Sequence, residues 1–311
     1  MNGITEYSYH RYRRSNQRVI TQTVLMAAIY LFIITSLLFI GLDHTYRDIL
    51  APLKDIRLVI IALVVNLLLV PLTGYILVTV FSLSGAVLIG SILMTSAPGA
   101  SYSPRLAEIS AGDVPFATGL MFLLCTIALI STPVTLLILL PESSAMNVWP
   151  VIRSLILLMV IPLIVGLALR AYRPAVADRV KVPVVLFSYF MILIVLIMAL
   201  ATTFGPANPT GIFRSLFGTY GILVIVLAVS LSFLFGYFLG GARKGIRRSL
   251  AESSAIRNSG MALLFAASSF TAMMSDILTV LIAYTIIQTA VVGIVAGLWR
   301  RKSKLIPPEA A

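Results

Sequence analysis

The sequence predicts an all-α integral membrane fold of about nine spans, two of them discontinuous. Three observations lead there. Mean hydropathy is +1.04, and 59% of the 311 residues are hydrophobic against 11% charged, where soluble domains carry about 25% charged residues. Apolar runs long enough to cross a bilayer take up almost the whole chain, leaving little room for a separate soluble domain. Two of these runs are broken by prolines, hydroxyls and charges, and each broken run is followed by one more long run.

Residues 1–18 form a polar, basic N-terminal segment with His10, Arg11, Arg13, Arg14 and Arg18. The segment has no apolar stretch, so it is neither a span nor the core of a signal peptide. The first run, 19–42, has the ~20 residues a span needs, and no small-residue cleavage site follows it. Further runs lie at roughly 57–80, 84–108, 114–140, 148–170, 182–203, 212–240, 248–272 and 276–299. Residues 300–311 remain as a basic tail.

The formal charge of +12 would suggest nucleic acid in a soluble protein. Here the bases cluster at the ends of apolar runs, so the partner they imply is the bilayer and not nucleic acid. Arg47, Lys54 and Arg57 follow the first run, and Arg105 lies near the end of the third. Arg170, Arg173, Arg179 and Lys181 follow the fifth, and Arg243, Lys244, Arg247 and Arg248 the seventh. Arg300, Arg301, Lys302 and Lys304 follow the last. The alternate connections, around Ser82, Pro141–Ala145, Gly205–Thr210 and Met274–Asp276, carry no Lys or Arg. The asymmetry places the C-terminus in the cytoplasm, and an odd number of spans then places the N-terminus outside. The basic N-terminal segment opposes that orientation, and the five basic connections outvote it.

The third run contains Thr95-Ser96-Ala97-Pro98-Gly99-Ala100-Ser101-Tyr102-Ser103-Pro104-Arg105. Each proline removes a backbone donor and clashes one turn back, so this run cannot be one helix. Such backbone survives at membrane depth only when buried in protein or lining water. The eighth run carries a polar island from Glu252 to Gly260 that includes Arg257 and Asn258. An Arg or Asp at a helix centre costs about 2.5–3.5 kcal/mol on insertion scales, so these charges face a cavity or a partner. Broken segments in corresponding places of two halves are the sign of an inverted-repeat transporter whose site lies where the breaks meet.

These stretches resemble the bile acid:sodium symporter family. Phe39-Ile40-Gly41-Leu42 is similar to its early "GxGL" segment, and Asn66 stands where the family has an amide. Ala97-Pro98-Gly99-Ala100-Ser101-Tyr102-Ser103-Pro104 resembles the first crossover, with Gly112-Asp113-Val114 after it. Arg257-Asn258-Ser259-Gly260 resembles the "QNSG" end of the second. The match covers most of the chain from about residue 24 onward. The resemblance implies a core domain with two unwound, crossing helices (runs 57–140 and 212–299) and a panel domain (runs 19–42 and 148–203). It also implies alternating access by movement of one domain on the other, in the inner (cytoplasmic) membrane. The implied solute is a small organic anion of carboxylate or sulfate type, bound by Ser101, Ser103, Arg257, Asn258 and Ser259.

The departures from the family pattern concern the ion sites. The resemblance places sodium coupling at Asn66, Glu252, Ser253 and Ser103. The position of the family's essential Glu holds Ser253, however, and that of its Gln holds Arg257. The first-crossover Asn is Pro104, and hydroxyl ligands on the fourth run become Ala117 and Met121. Sodium needs hard oxygen ligands, whereas arginine only donates and stays charged. Arg257 is therefore expected to replace the coupling ion and to offer an anion a bidentate donor, with sodium coupling weakened or lost. Alternatives are conventional sodium symport through a rebuilt site, or an anion sensor or channel on the same fold. Arg257 could also be a structural ion-pair member. Glu252 could pair with it, carry a proton, or be an interfacial charge close to Arg247 and Arg248.

An intramembrane enzyme is the competing class. It would need a nucleophile with a base, or clustered ligands for a metal. The two histidines, His10 and His44, lie outside the apolar runs, and no cofactor motif is present. Cys125 reads as a small core residue. Gln288 and Thr289 read as helix glue or core lining, and Trp149, Trp299 and Tyr220 as interfacial anchors. Gly85–Gly90 and Gly293–Gly297 read as close-packing surfaces.

Overall fold

The computed structural model describes residues 2–45, 55–140, 153, 156–204, 216 and 218–305. Among them every regular element is helical. Trp149, the starts of the fifth and seventh runs, and the connections at Pro141–Ala145 and Gly205–Thr210 lie outside the described residues.

Helix α1 (Asn2–Asp43) begins well before the apolar run. Helix α2 (Ile56–Val80) contains a π-helical turn at Val65–Leu69. Pro71 follows this turn and offers no donor to the Leu67 carbonyl, so the ladder widens there. The turn holds Asn66, which is fully buried. Helix α3 (Gly85–Thr95) ends at the proline-rich break, and α4 (Ser103–Ile109) resumes after it. Helix α5 (Val114–Leu139) is capped by Asp113, which accepts the Phe116 N–H at 2.9 Å. Helix α6 (Ile161–Tyr172) follows a π-helical stretch at Ile156–Val160, and α7 (Pro174–Phe204) opens on a proline whose missing donor costs nothing at a first turn. Next come α8 (Gly221–Leu239), α9 (Lys244–Ala255), α10 (Ser259–Ser269) and α11 (Met274–Leu305). Six helices or helix segments among the described residues are long and apolar enough to cross a membrane.

Helices α1, α6 and α7 pack on one another. Gly41 and Gly166 let α1 and α6 meet backbone to backbone: a Cβ on Gly41 would lie 2.5 Å from the Leu163 carbonyl, and one on Gly166 2.5 Å from that of Leu38. The remaining helices form a second group in which α9 lies against α8, α4 and α5, and α11 against α3 and α8.

Two expectations need correction, and a third gains contacts. The second break is narrower than the polar island: Glu252, Ser253 and Ser254 stay in α9, and only Ile256 to Asn258 leave the helix. No proline interrupts this stretch, so the ladder runs on to a bond from the Ile256 N–H to the Glu252 carbonyl (2.9 Å). A Cβ on Gly293 or Gly297 would meet nothing within 4 Å among the described residues, whereas one on Gly90 would lie 2.7 Å from Val280. Trp299 is more than an interfacial anchor. It stacks on Tyr237 (centroids 5.7 Å apart), Arg248 lies over its ring, and Arg247 lies over Tyr237. These contacts tie α8, α9 and α11 together at one end.

Candidate functional site

The two breaks cross. The Asn258 N–H of the second donates to the Ala97 carbonyl of the first (2.7 Å), and the Asn258 side chain donates to the Gly99 carbonyl (3.0 Å). Gly99 has φ +83°, and a Cβ there would lie 2.7 Å from the Cys125 backbone nitrogen, so no larger residue fits the approach. The Cys125 thiol donates to the same Gly99 carbonyl (2.8 Å). The Asn258 carboxamide also caps α10 by accepting from the Met261 N–H (3.0 Å).

Arg257 sits at this crossing with no exposed surface. Its Nε donates to the Met94 carbonyl (3.3 Å). Nη1 donates to Asn66 Oδ1 (3.0 Å) and the Ser254 carbonyl (3.4 Å), and Nη2 to the Thr95 (2.7 Å) and Asn66 (3.2 Å) carbonyls. All five N–H donors of the guanidinium are met by uncharged oxygens. Among the described residues no carboxylate pairs with it, so the structural ion pair and the Glu252–Arg257 pair do not form. Burying an ion costs several kcal/mol, while bonds to a charged group contribute about 1.5–3 kcal/mol each. Five of them are enough to hold the charge without a counter-ion. They also leave no N–H for bidentate contact with a solute in this arrangement.

Two residues complete the cradle. Asn66 is oriented by its own Nδ2, which donates to the Ala62 carbonyl (3.0 Å) and the Ser254 hydroxyl (3.2 Å). Gln288 of α11, fully buried, accepts from the Arg257 N–H (2.9 Å) and donates to the Arg257 carbonyl (3.2 Å) and the Tyr102 hydroxyl (2.9 Å). It therefore satisfies the backbone that the second break exposes and ties it to the first break.

Glu252, Ser253 and Ser103 are buried beside the crossing. Neither carboxylate oxygen of Glu252 has a hydrogen-bond partner among the described residues, and neither do the two serine hydroxyls. Ser110 and Arg248 face Glu252, but the Ser110 hydroxyl donates to the Ala107 carbonyl and Arg248 to the Ser110 carbonyl. Ala117 and Met121 are buried as well.

A cavity of about 430 Å³ opens between the α1/α6/α7 group and the crossing. Ser101, Tyr102, Asn258, Ser259 and Thr285 form its polar end, and Arg257 borders that end while its own surface stays fully covered; Ser103 is not among the lining residues. The Thr285 hydroxyl donates to the Leu281 carbonyl (2.7 Å), so Ser259 is the donor in their 2.7 Å pair. The donors left at this end include the first N–H groups of α10, at Ser259 and Gly260, which have no partner within the helix. Apolar side chains such as Phe32, Ile40, Ile192 and Leu281 line the remainder.

Sequence reasoning brought Asn66, Ser101, Arg257, Asn258 and Ser259 to this region. It missed Thr285, Ser36 of α1 and the Met94 and Thr95 carbonyls, and it read Gln288 as helix glue or core lining without pairing it with Arg257. A buried amide within an apolar run was the available signal for Gln288; backbone carbonyls leave none.

Helices long and apolar enough to span a bilayer, two crossing breaks and a cavity between two helix groups define a multi-pass integral membrane protein. The chain belongs to the sodium bile acid symporter family, whose profile matches residues 28–205, more than half of its length. It is also similar to a probable chloroplastic sodium/metabolite cotransporter of Arabidopsis thaliana, 24% identical over 250 residues. That alignment covers 74% of this chain and 58% of the relative, so the chain spans less than two thirds of that protein's length. Members of the family are transporters and not enzymes.

Proposed function

We propose that this protein moves a small organic anion of carboxylate or sulfate type by alternating access, and that the Arg257 guanidinium stands in place of a coupling sodium. One observation carries the reading: a fully buried cation is surrounded by five uncharged oxygens drawn from both sides of the crossing. Carbonyl and amide oxygens are what a hard cation would seek, and the guanidinium already fills that shell. A second cation at close range would be repelled strongly in so dry a site. The charge near the α10 N-terminus then attracts an anion without contacting it.

In this reading α1, α6 and α7 are the panel and the other helices the core, in a nine-span inverted repeat. The C-terminus lies in the cytoplasm and the N-terminus outside, in the inner membrane. A second reading, sodium symport through a rebuilt site, draws on the unpartnered oxygens of Glu252, Ser253 and Ser103.

Thermal unfolding of the purified protein in sodium against choline, at matched ionic strength, separates the two. A ligand bound only by the folded state stabilises it by RT ln(1 + [L]/Kd). The wild type should ignore sodium, and an Arg257→Gln, Ser253→Glu double variant should gain a shift. A sodium shift in the wild type would overturn the replacement and favour the second reading. Counterflow in vesicles tests transport itself, since a sensor or channel shows none.

A further inference from the structure

The cavity wall contributed by α1 and α7 is apolar except at one point. Among the described residues, Ser36 is the single polar side chain that these helices present to the cavity. Its hydroxyl lies 2.6 Å from that of Ser188 on α7, which is 2% exposed and does not line the cavity.

The pair has two O–H donors and uses one in its mutual bond. Neither hydroxyl bonds to the carbonyl one turn back, unlike Thr35 beside it, which donates to Leu31 (2.7 Å). One donor is therefore left over. If Ser36 gave its proton to Ser188, the spare donor would be the buried one, and an unmet buried donor forfeits its hydration with nothing in return. If Ser188 donates, the spare O–H belongs to Ser36 and can turn into the cavity. The second arrangement has the lower free energy.

We infer that Ser36 is a specificity-determining residue that donates to an oxygen carried by the solute at a distance from its anionic group. The solute class is then an amphipathic anion with two oxygen functions: a charged end at the crossing and an ether, carbonyl or hydroxyl oxygen on an otherwise apolar body. This rests on the reading of the cavity as the solute site. Joining two helices requires the mutual bond alone and would leave solute preference unaffected.

The test uses the full-length protein in nanodiscs and a series of straight-chain carboxylates of increasing length, each with its ω-hydroxy and ω-methoxy counterpart, read by thermal shift. One oxygenated length should bind on the order of tenfold more tightly than its unsubstituted parent, as one added hydrogen bond allows. The methoxy compound, which can only accept, should keep the preference. Ser36→Ala and the size-conserving Ser36→Cys should abolish it while the parent carboxylate still binds. Binding of parent and oxygenated compounds without preference, or a preference that survives both variants, overturns the inference alone. No binding across the series overturns the cavity reading beneath it.

Discussion

The Gln288 carboxamide pairs with both backbone groups of Arg257, accepting the N–H at 2.9 Å and donating to the carbonyl at 3.2 Å. It does for the broken helix what the next turn would have done. Gln288→Leu orphans both groups, at about 1–3 kcal/mol each, and also releases Tyr102. Its melting temperature in detergent should fall by several degrees. Gln288→Glu keeps the acceptor and should fall less. Equal losses would show that only side-chain volume matters at this position.

Arg257→Lys keeps the charge but has three donors in place of five, without the planar fork. Two or more cradle oxygens lose their partner, so this variant should also unfold at lower temperature than the wild type. Unchanged stability would mean that the five bonds contribute little.

Asn66→Asp places a carboxylate within 3.0 Å of Nη1. The guanidinium should stay in its cradle while its charge is cancelled. Anion uptake should weaken by about tenfold or more, because the field at the cavity is lost; the bond from Nδ2 to the Ala62 carbonyl goes as well, so uptake is compared per folded protein. Undiminished uptake would refute a role for the net charge.

Glu252 is buried with no donor to either oxygen among the described residues. Burial makes an ionised carboxylate costly there, and Ser110 and Arg248, which face it, offset only part of that cost. Glu252→Gln should therefore melt at the same or a higher temperature. A clear drop would reveal a partner of the carboxyl that this conformation does not contain.

The Gly41–Gly166 contact leaves no space for a methyl group. Gly41→Ala should destabilise by about 1–3 kcal/mol, as overpacking does, and thermal unfolding reads it directly.

The membrane class, the first break and the presence of a polar crossing were legible in the residues, because prolines and buried charges have local costs that no packing removes. The second break was legible only as a polar stretch. Its three-residue width depends on the Glu252 ladder bond and on Gln288 and Ala97 meeting the freed groups of residues 257 and 258. Gln288 itself could be seen as an amide in an apolar run, but its register against Arg257 comes from how α11 lies on the breaks. Gly293 and Gly297 looked like packing surfaces, yet face open space among the described residues; composition gives no azimuth.

Chain chemistry alone was thus sufficient for a multi-pass membrane protein with two interrupted helices, since hydropathy and missing donors act over a few neighbouring residues. The state of Arg257 was decided in three dimensions. A guanidinium reads the same in a sequence whether it meets a carboxylate, a solute or five uncharged oxygens, and the oxygens that hold it come from residues 66, 94, 95 and 254. Four of its five bonds go to backbone carbonyls, those of Asn66, Met94, Thr95 and Ser254. Every residue carries such a group, and only folding can aim it.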